Sequence, residues 1–228
     1  MSLHHIVPFS RIVTILVDTF FLLCYICTVE VIPVEYLQHP EIKALLKVSH
    51  SYGNREAHLS LLTMYATGAR VSQIVGDRHA PKTIEGLKGT DIIPDPETGG
   101  YRIRILKAKR GKTRTYRVLV SPDPALDMRD LVELAKQRGT AALFGGLTRH
   151  YLHALIKKFA MQAGLHADMV HCHTIRHSTA MAVYTKTQRI GAVSGYLAHS
   201  DPAAAYTYVQ ENDGRLADDA MASVFAGA

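Results

Sequence analysis

A mainly α-helical fold with a small antiparallel β-sheet near its middle is predicted by three features of this 228-residue chain. Apolar residues recur at three- and four-residue spacing through residues 40–75 and again through 127–164, the period of a helix with one buried face. Between them Tyr101, Ile103 and Ile105 alternate strictly with Arg102 and Arg104, the period of a strand with one face buried. From His173 to the C-terminus the pattern predicts three or four further helices and no strand.

Taken in order, Pro40-Glu41 opens a helix carrying Ile42, Leu45 and Leu46, which ends in the polar stretch Ser49–Asn54. A second helix is expected over 55–75, with Leu59, Leu62, Thr63 and Ala66 on one face. Gly68 falls late in it, where a missing side chain lets a phosphate or another backbone come close. Thr83–Ile93 reads as a short strand and turn, and the Pro94–Gly100 run as a loop. The strand beginning at Tyr101 turns near Arg110-Gly111 and returns over Thr113–Val120. Asp127–Arg138 forms a helix stopped by Gly139. Thr148 caps another, with Tyr151, Leu152, Leu155, Ile156 and Phe159 at helical spacing and Gly164 as its end. Near the C-terminus Asp213-Gly214 signals a turn, followed by an amphipathic stretch through Leu216, Ala220, Met221, Val224 and Phe225.

With 47% hydrophobic and 20% charged residues the chain has material for a core and does not have the composition of a disordered protein. Its formal charge is +6, and the excess is concentrated. Arg102, Arg104, Lys107, Lys109, Arg110, Lys112, Arg114 and Arg117 lie in one short run without a carboxylate. Such a run suits a polyanion, because each neutralised phosphate releases a condensed counterion. Cys24, Cys27 and Cys172 are too few for a disulfide framework. Cys24 and Cys27 have no second pair of ligands near them for zinc, and His171-Cys172-His173 has none either, so no metal site and no cofactor are expected.

Residues 1–34 stand apart. Ile12–Val34 is almost wholly apolar and long enough to span a bilayer, but Asp18 interrupts it at a cost of roughly 2.5–3.5 kcal/mol. A membrane span is therefore not expected. Packing on the domain or on a partner is, and the segment has no assigned role.

Four short motifs follow in order over about 140 residues: Thr67-Gly68-Ala69-Arg70, the basic run from Lys109 to Arg114, His173-Thr174-Ile175-Arg176-His177, and Leu197-Ala198-His199 with Tyr208 nine residues beyond. Together they resemble the tyrosine recombinase (phage integrase) family, whose signature reads T-G-x-R, a hairpin lysine, H-x-x-R-H, L-G-H and a nucleophilic tyrosine. The resemblance runs from near Tyr36 to about residue 212 and assigns 35–228 as a DNA breaking–rejoining catalytic domain. It leaves 1–34 unexplained, and those residues are too few for the separate helical core-binding domain that such recombinases usually carry.

The resemblance implies cleavage without metal or nucleotide through a 3′-phosphotyrosine, with Arg70, Lys109, His173, Arg176, His199 and Tyr208 as the catalytic set. Arg70 and Arg176 would clamp the phosphate, for which a guanidinium offers bidentate donors. His173 would hydrogen-bond the phosphate or act as general base, with His177 structural. His199 would bond a non-bridging oxygen, and Lys109 would protonate the leaving 5′ oxygen. Lys107 and Lys112 are rivals for that acid, and Tyr206 for the nucleophile. Arg102, Arg104, Lys107, Arg110, Lys112 and Arg114 are expected to contact DNA. The implied partners are duplex DNA and further copies of the chain, as a dimer or tetramer on DNA, in the cytoplasm. The periodicity of residues 215–225 fits a helix packed on its own domain, whereas the resemblance implies that the segment docks on a neighbouring protomer.

Two positions depart from the family pattern. Ala198 replaces the glycine of L-G-H. Gln73 stands where the family usually has Glu or Asp, and a carboxylate there is expected to hold cationic neighbours more firmly. Two other functions fit the same residues: a DNA-binding relic with impaired catalysis, and relaxation of supercoils by type IB topoisomerase-like chemistry.

Overall fold

The computed structural model describes residues 36–80, 83–106 and 113–198. The first helix, α1 (His39–Ser51), begins where expected. Pro40 supplies its preset φ in the first turn, and the Gln38 backbone N–H donates to the Glu41 carboxylate at 2.7 Å. Ile42, Leu45, Leu46 and Ser49 face inward at helical spacing.

α2 (Arg55–Thr67) is capped by Asn54, whose side chain accepts from the Ala57 N–H at 3.1 Å. It is buried nearly all round, so its polar side chains must be satisfied within the helix. Ser60 donates to the Ala57 carbonyl, Thr63 to that of Leu59 and Thr67 to that of Thr63, at 2.7–2.9 Å. The expected single helix over 55–75 is interrupted. Gly68 adopts the left-handed conformation (φ 63°) and ends α2, and a separate short helix, α3 (Val71–Val75), starts after Arg70.

Strands β1 (Ile92–Pro94), β2 (Tyr101–Leu106) and β3 (Thr113–Arg117) form one antiparallel sheet in that order. Ile103 faces Ile92 on one side and Tyr116 on the other, and Leu106 pairs with Thr113. Ile103 and Ile105 are buried, as their alternation requires. Two strand expectations shorten. Over Thr83–Ile93 the chain makes an isolated bridge from Asp77 to Ile84 and a 3-10 turn at Gly89–Asp91 before β1 begins. β3 ends at Arg117 rather than Val120, because Leu119 and Val120 have no strand beside them and are exposed.

α4 (Arg129–Arg138) stops at Gly139, which has φ 52°. α5 (Arg149–Gln162) is capped by the Thr148 hydroxyl on the Tyr151 N–H at 3.2 Å. Leu152, Leu155, Ile156 and Phe159 are buried, whereas Tyr151, expected on that face, is 47% exposed. α6 (Cys172–Thr187) and α7 (Ile190–Leu197) complete the described helices. α2 lies at the centre, packed on α1, α5 and α6, with Phe144, Phe159, Leu45, Leu59 and Met64 among the fully buried side chains. Residues 1–34, Cys24 and Cys27, and the expected segment 215–225 lie outside the described residues.

Candidate active site

The C-terminal turn of α2 is where the candidate residues gather. A helix end leaves carbonyls without intrahelical partners, and each must find a donor. Here the donors come from α6 and α7. Thr179 donates to the Tyr65 carbonyl at 2.7 Å, the Tyr196 hydroxyl to that of Ala66, and Arg176 Nη1 to that of Gly68. Arg176 Nη2 reaches the Leu197 carbonyl at 3.1 Å. The guanidinium, 4% exposed, thus lies against the negative ends of two helices, α2 and α7, which offsets the cost of burying its charge.

Gly68 is required there for a second reason. A β-carbon at this position would lie 2.2 Å from Leu197 Cδ2 and 3.3 Å from Thr179 Cγ2. The space left by its missing side chain is therefore filled by the Leu197 and Thr179 side chains, where the sequence suggested a phosphate or another backbone.

Arg70 follows as the N-cap residue of α3, extended and exposed. Its backbone N–H donates to Gln73 Oε1 at 3.0 Å. His173, exposed in the first turn of α6, stacks near His171 (ring centroids 6.4 Å) and meets His177 edge-on at 4.3 Å. Its pKa is lowered, first by partial burial and then by His171, Arg176 and Arg70. The imidazole is thereby held as a neutral acceptor at neutral pH. Arg176 lies one turn further along α6, and Arg70 is near enough to contribute to the same shift. Cys172 is buried enough to push its thiol up to about 11, so it remains protonated.

The basic strands divide in two. Arg102 pairs with Asp95 at 3.0 Å and Glu97 at 2.6 Å, and Arg104 with Asp91 at 3.1 Å. Both hold β2 to the segments beside it. Arg114 instead lies over the rings of Tyr116 (5.5 Å) and Tyr196 (5.9 Å). Burial pushes the Tyr116 phenol up to about 12, and its hydroxyl donates to the Tyr196 carbonyl at 2.8 Å. Lys107, Lys109, Arg110, Lys112, His199, Tyr206 and Tyr208 lie outside the described residues.

Two contacts nevertheless bear on them. Leu106, three residues before Lys109, gives its carbonyl to Gln73 Nε2 at 3.0 Å. Leu197, two residues before His199, gives its carbonyl to Arg176. Leu106 and Leu197, which lead toward Lys109 and His199, are thus both bonded to the Thr67–Arg70 turn or its neighbours. The linking residues Gln73, Tyr116 and Tyr196 were not singled out for these contacts by the sequence, since their partners lie 33, 80 and 130 residues away. The pairing of Arg102 and Arg104 had a visible signal: Asp91, Asp95 and Glu97 stand just before the basic run, and the antiparallel register carries Asp91 alongside Arg104. Among the described residues no group of three His, Cys, Asp or Glu side chains is arranged to hold a metal ion. Nor is any helix among them long and apolar enough to cross a membrane.

A helical domain with a three-stranded sheet, in which an arginine box after α2 meets a histidine–arginine box on α6, is the fold of tyrosine recombinase catalytic domains. Solved examples share it: the XerH site-specific recombinase bound to palindromic difH substrate superposes with a TM-score of 0.60 at 22% identity, over 81% of this chain and 52% of that one. The catalytic domain of bacteriophage HP1 integrase superposes with a TM-score of 0.52 at 20% identity, over 77% of this chain and 86% of that one. Residues 35–215 match the phage integrase family, and the chain belongs to that family. Among curated relatives, the tyrosine recombinase XerD of Rickettsia conorii (strain ATCC VR-613 / Malish 7) is 28% identical over 197 residues. That match takes in 78% of this chain and 61% of the relative, so the chain spans less than two thirds of its relative's length.

Proposed function

We propose that this protein is a site-specific DNA recombinase that cuts and rejoins strands through a 3′-phosphotyrosine. The observation that carries the reading is the bond that holds Arg176, one turn after His173 on α6, to the Gly68 carbonyl two residues before Arg70, in a chain of the phage integrase family. In the cleavage step Tyr208 Oη forms a bond to the scissile phosphorus while the bond from phosphorus to the 5′ oxygen breaks. His173, held neutral, takes the phenolic proton as Oη attacks. Lys109 delivers a proton to the leaving 5′ oxygen, a contribution typically worth about 10²–10⁴-fold. Arg70, Arg176 and His199 stabilise charge on the non-bridging oxygens. The ester keeps the bond energy, so attack by a 5′ hydroxyl rejoins a strand with no added energy source.

Duplex DNA is the substrate on this reading, and the hairpin cations Lys107, Arg110, Lys112 and Arg114 track its backbone. XerH is solved on its difH substrate, and lambda integrase as a dimer bound to a core site. By likeness to them we infer assembly as a dimer or tetramer on DNA, with the reaction taking place in the cytoplasm. A nicked suicide substrate, which traps the covalent adduct, tests the reading. Wild-type protein should form the adduct, Tyr208→Phe should form none while still binding DNA, and Tyr206→Phe should retain it. No adduct from wild-type protein would leave only DNA binding, and a reversal of the two variants would move the nucleophile to Tyr206.

A further inference from the structure

The side chain of Gln73 joins two backbone groups of opposite polarity. Oε1 accepts from the Arg70 N–H at 3.0 Å, and Nε2 donates to the Leu106 carbonyl at 3.0 Å. The partners themselves fix which end of the amide is which, since a backbone N–H only donates and a carbonyl only accepts. Leu106 is the last residue of β2 and pairs with Thr113, the first of β3, so this bond holds the point from which the basic segment leaves the sheet. The Leu106 side chain is 65% exposed, so packing adds little to hold it there.

We propose that Gln73 is a positioning residue for strand cleavage: its amide locks the end of β2 to the backbone of Arg70, and this chain requires an amide there rather than the acid usual in the family. A glutamate at 73 would keep the bond from the Arg70 N–H. Its other oxygen would then face the Leu106 carbonyl, acceptor against acceptor, and the lock on β2 would become a repulsion. On this proposal the sequence-based expectation that a carboxylate improves this site is reversed.

The consequence for cleavage rests on the reading of Lys109, three residues beyond Leu106, as the general acid. Gln73→Glu and Gln73→Leu should each slow adduct formation on an ordinary suicide substrate by about tenfold or more, the scale of one lost hydrogen bond. The DNA affinity of Gln73→Leu should stay within about twofold, because that variant changes no charge on the protein surface. On a substrate with a 5′-bridging phosphorothioate, whose leaving group needs no proton, both variants should approach the wild-type rate, as Lys109→Ala should. Wild-type rates for both variants, or an equal loss on the two substrates, would overturn the proposal. If Lys109→Ala is not rescued, the acid assignment is what fails. Amide hydrogen exchange of the free protein then decides on Gln73: faster exchange at Leu106 and Thr113 in Gln73→Leu upholds the lock, and unchanged exchange overturns it.

Discussion

Arg176 and Leu197 are bound guanidinium to carbonyl at 3.1 Å, and Leu197 Cδ2 occupies the volume that a side chain on Gly68 would need. Arg176 also holds the Gly68 carbonyl. Three residues from three parts of the chain thus define one joint. The arginine expected from the sequence only to clamp a phosphate is also the cation that closes two helix ends.

That double duty separates the two arginines of the site. Arg176→Lys replaces a planar fork by a point charge that cannot reach two carbonyls in fixed directions. It should abolish adduct formation and also lower unfolding free energy in urea by about 1.5–3 kcal/mol, the scale of a hydrogen bond to a charged group. Arg70→Ala, at an exposed position, should abolish the adduct with stability within about 0.5 kcal/mol of wild type. Equal stability losses for the two would remove the structural role assigned to Arg176.

Gly68→Ala should destabilise the domain by about 1–3 kcal/mol, from a positive φ and from the collision with Leu197. The backbone cost is fixed, but the collision involves the tip of a leucine. Leu197→Ala should therefore cost less in the Gly68→Ala background than alone. A double-mutant cycle measured by urea denaturation checks this, and strict additivity would show that Leu197 moves aside freely.

Elements written in local chemistry were readable from the sequence. Pro40, Gly139 and the Thr148 cap each mark a helix end by what their own backbone or side chain does, and the alternation from Tyr101 to Ile105 sets the face of β2. The break at Gly68 was not readable, because the apolar pattern runs on through residue 74. Gly68 ends the helix by its left-handed turn, and its contacts there are with Leu197 and Arg176, more than a hundred residues further on. Tyr151 misled for a related reason. Its spacing fits the apolar stripe, but in the first turn of α5 it stays 47% exposed. Arg70, His173 and Arg176 were legible as tetrapeptide contexts. The bond from Gln73 to Leu106 depends on where β2 ends in space, which no local pattern states.

His58 gives the fold a pH dependence. It is 5% exposed, takes a 2.8 Å bond between Nδ1 and the Ser49 hydroxyl, and packs edge-on against His50. Burial first, then the neighbouring His50, lowers its pKa to about 4. A native pKa below the unfolded value means that above about pH 6.5 neither state binds the proton and stability is complete. Between about 6.5 and 4 the unfolded chain takes up a proton that the native state refuses, so stability falls, by up to about 3 kcal/mol, and then levels off. His171 and His173, also shifted down, add slope in the same direction. His58→Gln should flatten the acid limb of a plot of urea midpoint against pH. An unchanged slope would show that other groups set it.

The basic strands should divide into structural and DNA-contacting cations. Arg102 holds the buried carboxylate of Asp95, and that bond, followed by one from Thr98, keeps the Asp95 pKa below the ordinary carboxyl range. Removing the guanidinium leaves Asp95 inside the 94–100 turn without its cation. Arg102→Gln should accordingly lower the melting temperature while leaving the dependence of DNA affinity on salt nearly unchanged, since this arginine already has its anions. Lys112→Gln should do the reverse, leaving the melting temperature alone and reducing the salt slope by about one for one lost phosphate contact. Arg114→Gln should do both, because its guanidinium lies on Tyr116 and Tyr196 and joins β3 to α7. Fluorescence anisotropy of a labelled duplex across a salt series, alongside thermal melts, reads both quantities. A full unit of slope lost with Arg102→Gln would return that residue to the DNA-binding set and show that Asp95 releases it when DNA arrives.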